Sequence, residues 1–352
     1  MAPGESRGES RGESTGEATA NAPLVGIGAI RAAAETLRGI ALRTPLLAFG
    51  PPERHEFLKA ESLQPIGAFK IRGAYVAVAG LAPDVRARGV ITYSSGNHAQ
   101  GVARAARLLG VPAVIVMPAD APRIKRERVA ADGAEIVTVG PTSEERRLVA
   151  ERIARERNLS IIPPFDDDRI IAGQGTCGLE IAEDLPDLAA VLVPIGGGGL
   201  AAGVATAIRA LRPHARIIGV EPELAADARD SLRAGRIIAW PPERVGQTIA
   251  DGTRTQSIGQ RNLAHLLAYL DDIVTVSEAE IRSAVRLAAE ESRLVVEPSG
   301  ALAIAALRFR AAEAGLADRN GPAVAIVSGG NVDPARYLEL LAEDGPERQP
   351  AG

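Results

Sequence analysis

Short, almost uninterrupted apolar segments alternate with helical patterns along most of this 352-residue chain, and this alternation most constrains its fold. Strands that are apolar at nearly every position must be buried on both faces, as in parallel sheets covered by helices. The sequence predicts strands over residues 90–93, 113–117, 135–139, 190–195, 216–221 and 323–328. It predicts helices over 98–109, 123–132, 143–157, 200–211, 278–294 and 299–314. The expected fold class is therefore α/β, with doubly wound and mostly parallel sheets.

The two ends of the chain lack this alternation. Residues 4–19 repeat the pattern GESR, GESR, GEST, GEAT, which has no apolar face to bury. Residues from 345 onward have a similar polar composition. We therefore expect disordered tails over residues 1–22 and 345–352.

Composition excludes several classes of function. A net charge of −4 and 3% aromatic residues are unsuited to binding a phosphate backbone or stacking on bases, so no nucleic-acid partner is expected. No apolar run reaches the roughly 18 residues of a membrane span. The N-terminus has no apolar core behind a basic segment, so it does not read as a secretory signal. The single cysteine, Cys177, excludes an internal disulfide and suits the reducing cytoplasm.

The chain has only three lysines beside 37 arginines. Arginine can replace lysine as a surface charge, but it cannot supply the deprotonated amine that attacks a carbonyl. Lys125 lies in a cluster of charges over 123–128, which predicts a solvated helix face. Lys59 is expected to be structural and to pair with Glu61, two residues further along the same strand face.

Lys70 has a different setting. It follows a turn marked by Pro65 and Gly67, close to the start of a helical pattern. The positive end of the helix dipole and partial burial both disfavour a charged amine. Lys70 is therefore the candidate for forming a Schiff base, a reaction that needs the free amine.

Three polar or glycine-rich loops follow predicted strands directly. The run of four glycines at 196–199 can present several N–H groups to a phosphate at a helix N-terminus. The loop at 94–98 carries two hydroxyls, an amide and an imidazole, which suit a carboxylate. The third loop, at 328–331, is Ser-Gly-Gly-Asn. Since the carboxyl ends of parallel strands meet at one sheet edge, the three loops should gather at a single site.

The glycine run also permits a different interpretation. It satisfies a relaxed dinucleotide-binding pattern, and Glu221 ends the next predicted strand about 20 residues later, where a ribose-binding acid would lie. A nicotinamide-dependent oxidoreductase is therefore an alternative. A ligand-binding protein of the same fold without catalytic activity is a third.

Seven short segments in a fixed order carry a resemblance to a known family. They are QPIGAFKIRGA (64–74), SSGNHAQG (94–101), AGQGT (172–176), GGGG (196–199), ADG (250–252), EPSGA (297–301) and SGGN (328–331). Together they resemble the fold-type-II pyridoxal-phosphate (PLP) enzymes, in particular the threonine/serine dehydratase and serine racemase group. The resemblance implies a tryptophan synthase β-like architecture, with a large domain (23–87 and 167–344), a small domain (88–166) and an active site in the cleft between them. It also implies a homodimer.

The same resemblance implies roles for individual residues. Lys70 would form the Schiff base with PLP, while Ser95 would serve as an acid/base on the opposite face of the substrate in racemase-like members. The other residues expected to bind PLP are Phe69, Asn97, Gly196, Gly197, Gly198, Gly199 and Ser328. The residues expected to bind the substrate carboxylate are Ser94, Asn97 and His98.

The resemblance extends to a cation site and to an activity. Glu221, Asp227 and the carbonyl of Ala225 look like the divalent-cation site of the racemase-like branch, and such oxygen ligands suit Mg²⁺ or Ca²⁺. The expected activity is α,β-elimination from a small hydroxy amino acid by a threonine/serine ammonia-lyase. Serine racemase, through Ser95, and 3-hydroxyaspartate dehydratase, with Arg146 binding the second carboxylate, are the alternatives.

Overall fold

Two sheets with helices packed around them form the protein. The computed structural model describes residues 22–94, 96–119, 121, 123–140 and 142–342. Ser95 and most of both predicted tails lie outside the described residues. No helix in the described ranges is both long and apolar enough to cross a bilayer.

The strands, in chain order, are β1 Leu46–Phe49, β2 Glu56–Lys59, β3 Val90–Tyr93, β4 Ala113–Pro118, β5 Glu135–Val139, β6 Ser160–Ile161, β7 Ala190–Pro194, β8 Arg216–Pro222, β9 Asp272–Val276 and β10 Ala323–Ile326. The helices are α1 Ile27–Thr36, α2 Lys70–Ala79, α3 Pro83–Arg88, α4 Asn97–Leu109, α5 Arg123–Ala131, α6 Ser143–Arg157, α7 Asp168–Asp184, α8 Gly199–Leu211, α9 Asp227–Ala234, α10 Pro242–Val245, α11 Gln260–Tyr269, α12 Glu278–Ser292, α13 Pro298–Phe309 and α14 Pro334–Ala342. Short 3₁₀ turns lie over Pro52–Arg54, Glu61–Leu63 and Asp251–Thr253.

The strands form one sheet of six and one of four. The larger has the order β1-β2-β10-β7-β8-β9 and is parallel except for the antiparallel pair β1–β2. The smaller has the order β5-β4-β3-β6 and is wholly parallel. We call residues 90–161, which contain the smaller sheet, the small-sheet unit, and the rest of the described chain the large-sheet unit. All six predicted strands are present with ends within two residues, and the α/β fold class is confirmed.

Both sheets are buried on both faces, which explains their nearly continuous apolar strands. In β7, Val191 and Val193 pack into one apolar cluster, whereas Leu192 packs into another on the opposite face. In β4, alternate residues likewise enter two different clusters. Because successive side chains of a strand point to opposite faces, a sheet covered on both sides requires apolar residues throughout.

Helix α7 was not predicted, because its segment AGQGT reads as a glycine-rich loop. The helix is nevertheless buried along most of its length, packed between α2 and α8. A Cβ atom on Gly173 would lie 2.7 Å from the main-chain oxygen of Arg72 in α2. Glycine is therefore needed here for close helix packing rather than for a turn.

A buried cluster of ionised side chains joins α2, α7 and the segment before α2. Arg72 bonds Glu61 at 2.8 Å and Glu180 at 2.7 Å, and Lys59, fully buried, bonds Glu180 at 2.6 Å. The structural role predicted for Lys59 is thus correct, but its predicted partner is wrong. Glu61 is occupied by the bidentate guanidinium of Arg72, so Lys59 turns to Glu180.

This cluster predicts a large effect on stability. Glu61→Gln removes the buried negative charge that faces Arg72, so we expect a loss of about 3 kcal/mol in the free energy of unfolding. Urea unfolding of the cofactor-free protein measures it. Glu35→Gln is the control, since Glu35 pairs with Arg38 on the surface and its loss should change little. Equal midpoints for the two variants would contradict the prediction.

Candidate active site

The three loops predicted to meet do lie at the carboxyl ends of β3, β7 and β10. The turn before α2 joins the loop after β10 through main-chain hydrogen bonds. The N–H of Phe69 donates to Ser328 O at 3.1 Å, and the N–H of Gly330 donates to Gly67 O at 2.9 Å. These bonds fix Lys70, the first residue of α2, beside the Ser-Gly-Gly-Asn loop.

Lys70 is a half-buried amine whose charge is disfavoured. Its Nζ donates to the carbonyl of Pro164 at 2.8 Å and lies 5.1 Å from the centre of the Phe69 ring. Burial lowers the pKa of Lys70 to about 8. The unprotonated amine, which is the form that attacks a carbonyl, is therefore more abundant near neutral pH than for an exposed lysine, although it is still the minor form.

The glycine loop has the shape of an anion cradle. Gly198 has a φ of +92°, a conformation that glycine adopts without strain, and Gly199 begins α8. The first i→i−4 bond of α8 runs from Ala202 N to Gly198 O at 2.8 Å, so the preceding N–H groups lie ahead of the helical ladder. Phe165 packs so closely on Gly197 that any side chain there would overlap its ring. The loop thus suits a phosphate group.

The carbonyl of Gly197 is held on the other side of this loop. It accepts hydrogen bonds from Asn262 Nδ2 at 2.6 Å and from Gly259 N at 3.1 Å. Because the C=O and the following N–H of a planar peptide point in opposite directions, this anchoring directs the N–H of Gly198 away from α11. Asn262 is fully buried, and sequence reasoning missed it.

The loop after β3 presents main-chain donors rather than a charged side chain. Ser94 is half-buried, and its Oγ accepts from Gly96 N at 3.2 Å. The His98 ring is buried, with Nε2 at 3.1 Å from Ile162 O. Burial and, secondarily, the charge of Lys70 lower the pKa of His98 to about 3, so the ring is neutral. A proton on Nε2, required by that carbonyl, leaves Nδ1 without one. The N–H groups at the start of α4 are therefore the donors that a carboxylate can use.

Asn97 and Ser328 lie in the same region, where cofactor-binding roles were predicted. Asn97 Nδ2 donates to Glu297 Oε1 at 2.6 Å, and Asn97 Oδ1 accepts from Asn331 Nδ2 at 2.8 Å. The Ser328 hydroxyl is buried and lies 3.4 Å from Ser299 O. The structure brings these residues together, while their roles stay predictions.

The prediction for Lys125 is wrong. It was expected on a solvated face, but it is 5% exposed and its Nζ lies 2.7 Å from Asp251 Oδ2. The charged residues around it do not share one solvated face. Helix α5 turns Lys125 towards the large-sheet unit, while Arg126 and Glu127 stay exposed.

The predicted cation ligands lie together at the end of β8 and the start of α9. Asp227 is almost fully buried, and neither carboxylate oxygen makes a hydrogen bond of standard geometry to the described residues. Burial raises the pKa of Asp227 to about 7, and burial together with Asp227 raises that of Glu221. Ala225 is buried beside them. Among the described residues, no cluster of three or more His, Cys, Asp or Glu side chains could hold a metal.

Glu221 does not behave as a ribose-binding acid. It is fully buried, and its oxygens accept from the N–H groups of Ala228 at 3.0 Å and Arg229 at 2.8 Å. Its carboxylate therefore caps α9 instead of being offered to a dinucleotide. This geometry disfavours the nicotinamide alternative.

Several further residues at the site were not assigned roles from sequence. Phe165 and Pro164 line the space between Lys70 and the glycine loop. Asp251 and Glu297 occur within the segments ADG and EPSGA, so their motifs were noticed although their functions were not. No local pattern pointed to Phe165, because it contacts Gly197 only through the fold.

The donor set fits PLP. A buried amine of lowered pKa, a glycine cradle closed by an aromatic ring, and a serine hydroxyl meet at one edge of the large sheet. The amine suits the aldehyde of the cofactor, and the cradle suits its phosphate.

Comparison with known proteins points in the same direction. A family model described as pyridoxal-phosphate dependent enzyme matches residues 38–329. The L-threo-3-hydroxyaspartate ammonia-lyase of Saccharomyces cerevisiae is 43% identical over 82% of this chain and 87% of its own length. The L-threonine ammonia-lyase of Geobacter sulfurreducens is 43% identical over 82% of this chain and 70% of its own. The structure of maize serine racemase superposes with a TM-score of 0.82 and 36% identity, covering 90% of this chain and 97% of that one.

The packing of Phe165 on Gly197 yields a prediction. Gly197→Ala should displace the ring and distort the cradle, at a cost of about 1–3 kcal/mol in the stability of the cofactor-free protein. It should also weaken binding of both PLP and inorganic phosphate, measured by calorimetry. Gly26→Ala is the control, because a Cβ at Gly26 meets no atom within 4 Å. Unchanged phosphate and PLP affinity in Gly197→Ala would refute the assignment of the cradle.

Proposed function

Since this chain belongs to the family of pyridoxal-phosphate-dependent enzymes, we propose that it is a lyase that converts L-threonine or L-serine to 2-oxobutanoate or pyruvate and ammonia. The observation that carries the proposal is the position of Lys70, a half-buried amine whose pKa is lowered to about 8. It lies between the glycine loop before α8, which suits a phosphate, and the N-terminus of α4, which suits a carboxylate. Ammonia-lyase relatives that match most of this chain support the lyase class.

The residues of this chain divide the work of the reaction. When bound, PLP supplies an aldehyde that condenses with the substrate amine and a ring that delocalises the charge left at the α-carbon. The N–H groups at the glycine loop hold its phosphate, and those at the start of α4 hold the substrate carboxylate. Lys70 Nζ, once released as a free amine, takes the α-proton. Burial lowers the pKa of that amine to about 8, so the unprotonated form is more available near neutral pH than it is for an exposed lysine.

Two other substrates are supported by specific observations. A relative of 43% identity is named for L-threo-3-hydroxyaspartate, and Arg146, half-buried in α6, would bind the second carboxylate of such a substrate. The maize structure is named for serine racemisation, for which Ser95 would act as the second acid/base. Dehydration of threonine or serine remains the main proposal.

We further propose that Glu221, Asp227 and the main-chain carbonyl of Ala225 bind Mg²⁺ or Ca²⁺. The support is the buried carboxylate of Asp227, which lacks a standard hydrogen bond to the described residues, next to the buried Glu221. Burial raises the pKa of both carboxyl groups, and the charge of Asp227 adds to it at Glu221; a divalent cation would offset both effects.

The wider organisation is proposed on the resemblance as well. We propose that residues 23–87 with 167–344 and residues 88–166 are two domains around the active site, that the enzyme is a homodimer, and that it works in the cytoplasm. The two sheets, which divide along the same ranges, support the first of these proposals.

The assignment of Lys70 predicts a complete loss of function on substitution. Lys70→Ala should lose the visible absorbance of lysine-bound PLP and all release of 2-oxo acid, because the other two lysines, Lys59 and Lys125, are held in ion pairs with Glu180 and Asp251. Lys70→Arg should behave alike, since guanidinium stays protonated. Borohydride reduction of the wild-type holoenzyme, followed by peptide mapping, should place the label on Lys70. A label on Lys59 or Lys125 would rule the assignment out.

A substrate panel separates the remaining alternatives. L-threonine, L-serine, D-serine and 3-hydroxyaspartate are compared by kcat/KM for 2-oxo acid formation, with chiral analysis for racemisation. The proposal expects the highest values for L-threonine or L-serine. A preference for 3-hydroxyaspartate that Arg146→Ala abolishes would favour the second substrate instead.

The cation site predicts a ligand-dependent stability. After chelation, adding Mg²⁺ or Ca²⁺ should raise the Tm of the wild-type protein, because binding only to the folded state stabilises it. Asp227→Asn should lose this response, whereas the control Glu223→Gln, at an exposed residue of the same loop, should keep it. A wild-type Tm that does not respond to either cation would disprove the site.

A further inference from the structure

Helix α5 of the small-sheet unit reaches the large-sheet unit through two cationic side chains. Lys125 Nζ bonds Asp251 Oδ2 at 2.7 Å and is 5% exposed. One turn further along, the Arg128 guanidinium donates to Asn331 Oδ1, in the loop after β10. Arg128 as a residue remains exposed, so it contacts Asn331 from the solvent side.

Asn331 connects Arg128 to the active site through hydrogen bonds. Its Nδ2 donates to Asn97 Oδ1 at 2.8 Å and to Ile66 O at 2.8 Å. Asn97 Nδ2 in turn donates to Glu297 Oε1 at 2.6 Å. Four side chains thus form a relay that crosses three times between the two units, from Arg128 through Asn331 and Asn97 to Glu297.

The two ends of the relay, Arg128 and Glu297, determine the direction in which its hydrogen bonds are donated. Arginine can only donate hydrogen bonds, and an ionised carboxylate can only accept them. Each asparagine amide between them must therefore accept on the Arg128 side and donate on the Glu297 side. Glu297 and the carbonyl of Ile66 also favour this orientation, but Arg128 is the donor that faces Asn331 Oδ1. Losing Arg128 therefore weakens the constraint on the Asn331 amide and, through it, on Asn97.

We propose that Arg128 is a positioning residue, which strengthens the amide orientation of Asn97 through Asn331 and holds α5 against the large-sheet unit. The inference rests on the proposed function in one respect, namely that Asn97 lies against the cofactor. It assigns to this chain a cross-unit relay that orients a group at the reaction centre.

The charges around Glu297 support this direction. Glu297 is almost fully buried, and burial together with Asp251 raises its pKa to about 7. Lys125 and Arg128 from α5 lower that pKa, as does the hydrogen bond from Asn97. The cations of α5 thus increase the fraction of Glu297 that is ionised, and therefore able to accept only, near neutral pH.

Arg128→Ala tests the relay against Arg126→Ala, an exposed arginine of the same helix. We expect Arg128→Ala to bind PLP and to keep its Tm, but to lose kcat/KM by roughly 5- to 30-fold, as expected for one hydrogen bond from a charged donor. The acid limb of its pH profile should move to higher pH, because Glu297 loses a cation. In the cofactor-free protein, hydrogen exchange of α5 should increase in Arg128→Ala only.

The variant Asn331→Asp distinguishes an effect of the relay on Asn97 from an effect of docking α5 on the large-sheet unit. It strengthens the contact with Arg128 but cannot donate to Asn97, so kcat/KM should fall although α5 stays protected from exchange. The proposal is overturned if Arg128→Ala matches Arg126→Ala in kcat/KM, pH profile and hydrogen exchange. A wild-type enzyme that is active on none of the substrates would instead overturn the proposed function. In that case, the pH dependence of the PLP spectrum and the exchange of α5 still decide the relay.

Discussion

The parallel arrangement of the strands is the constraint on which the site depends. Strands that run in one direction deliver the loops after β7 and β10 to the same edge of the large sheet, and β3 does so for the small sheet. Each loop is short and leads directly to a helix or a turn, so free N–H groups are concentrated where the loops meet. The active site is therefore a consequence of the topology, and its residues come from segments more than 200 positions apart in the chain.

Segments whose environment is uniform could be predicted from the sequence. The six predicted strands are apolar on both faces, and they recur in the structure with small differences at their ends. Helix α7 escaped prediction because its glycines serve close packing against α2 and α8, and packing between distant helices leaves no local pattern. Strand β9 (DIVTV) was missed although β5 (EIVTV), which has the same pattern, was predicted.

In the candidate site, too, residues with a local sequence signature could be predicted, whereas residues placed by distant contacts could not. The glycine loop and the Lys70 turn have local signatures, since positive φ values and helix starts restrict the residue types that can occupy them. Phe165, Asn262 and Glu297 depend on contacts that only the folded chain creates. The error at Lys125 has this cause too, because a charged helix gives no sign of the carboxylate that will meet one of its side chains.

The environments of the three lysines show why arginine could replace lysine at two of these positions but not at Lys70. Lys59 is held by Glu180, and Lys125 by Asp251, whose charge together with that of Glu297 raises the pKa of Lys125. Both lysines are thus the positive partners of ion pairs, a role in which arginine could serve. Lys70 differs from both in having no carboxylate partner among the described residues: its Nζ donates to a neutral carbonyl, and burial lowers its pKa. It is the one environment of the three in which an amine, and not merely a positive charge, is required.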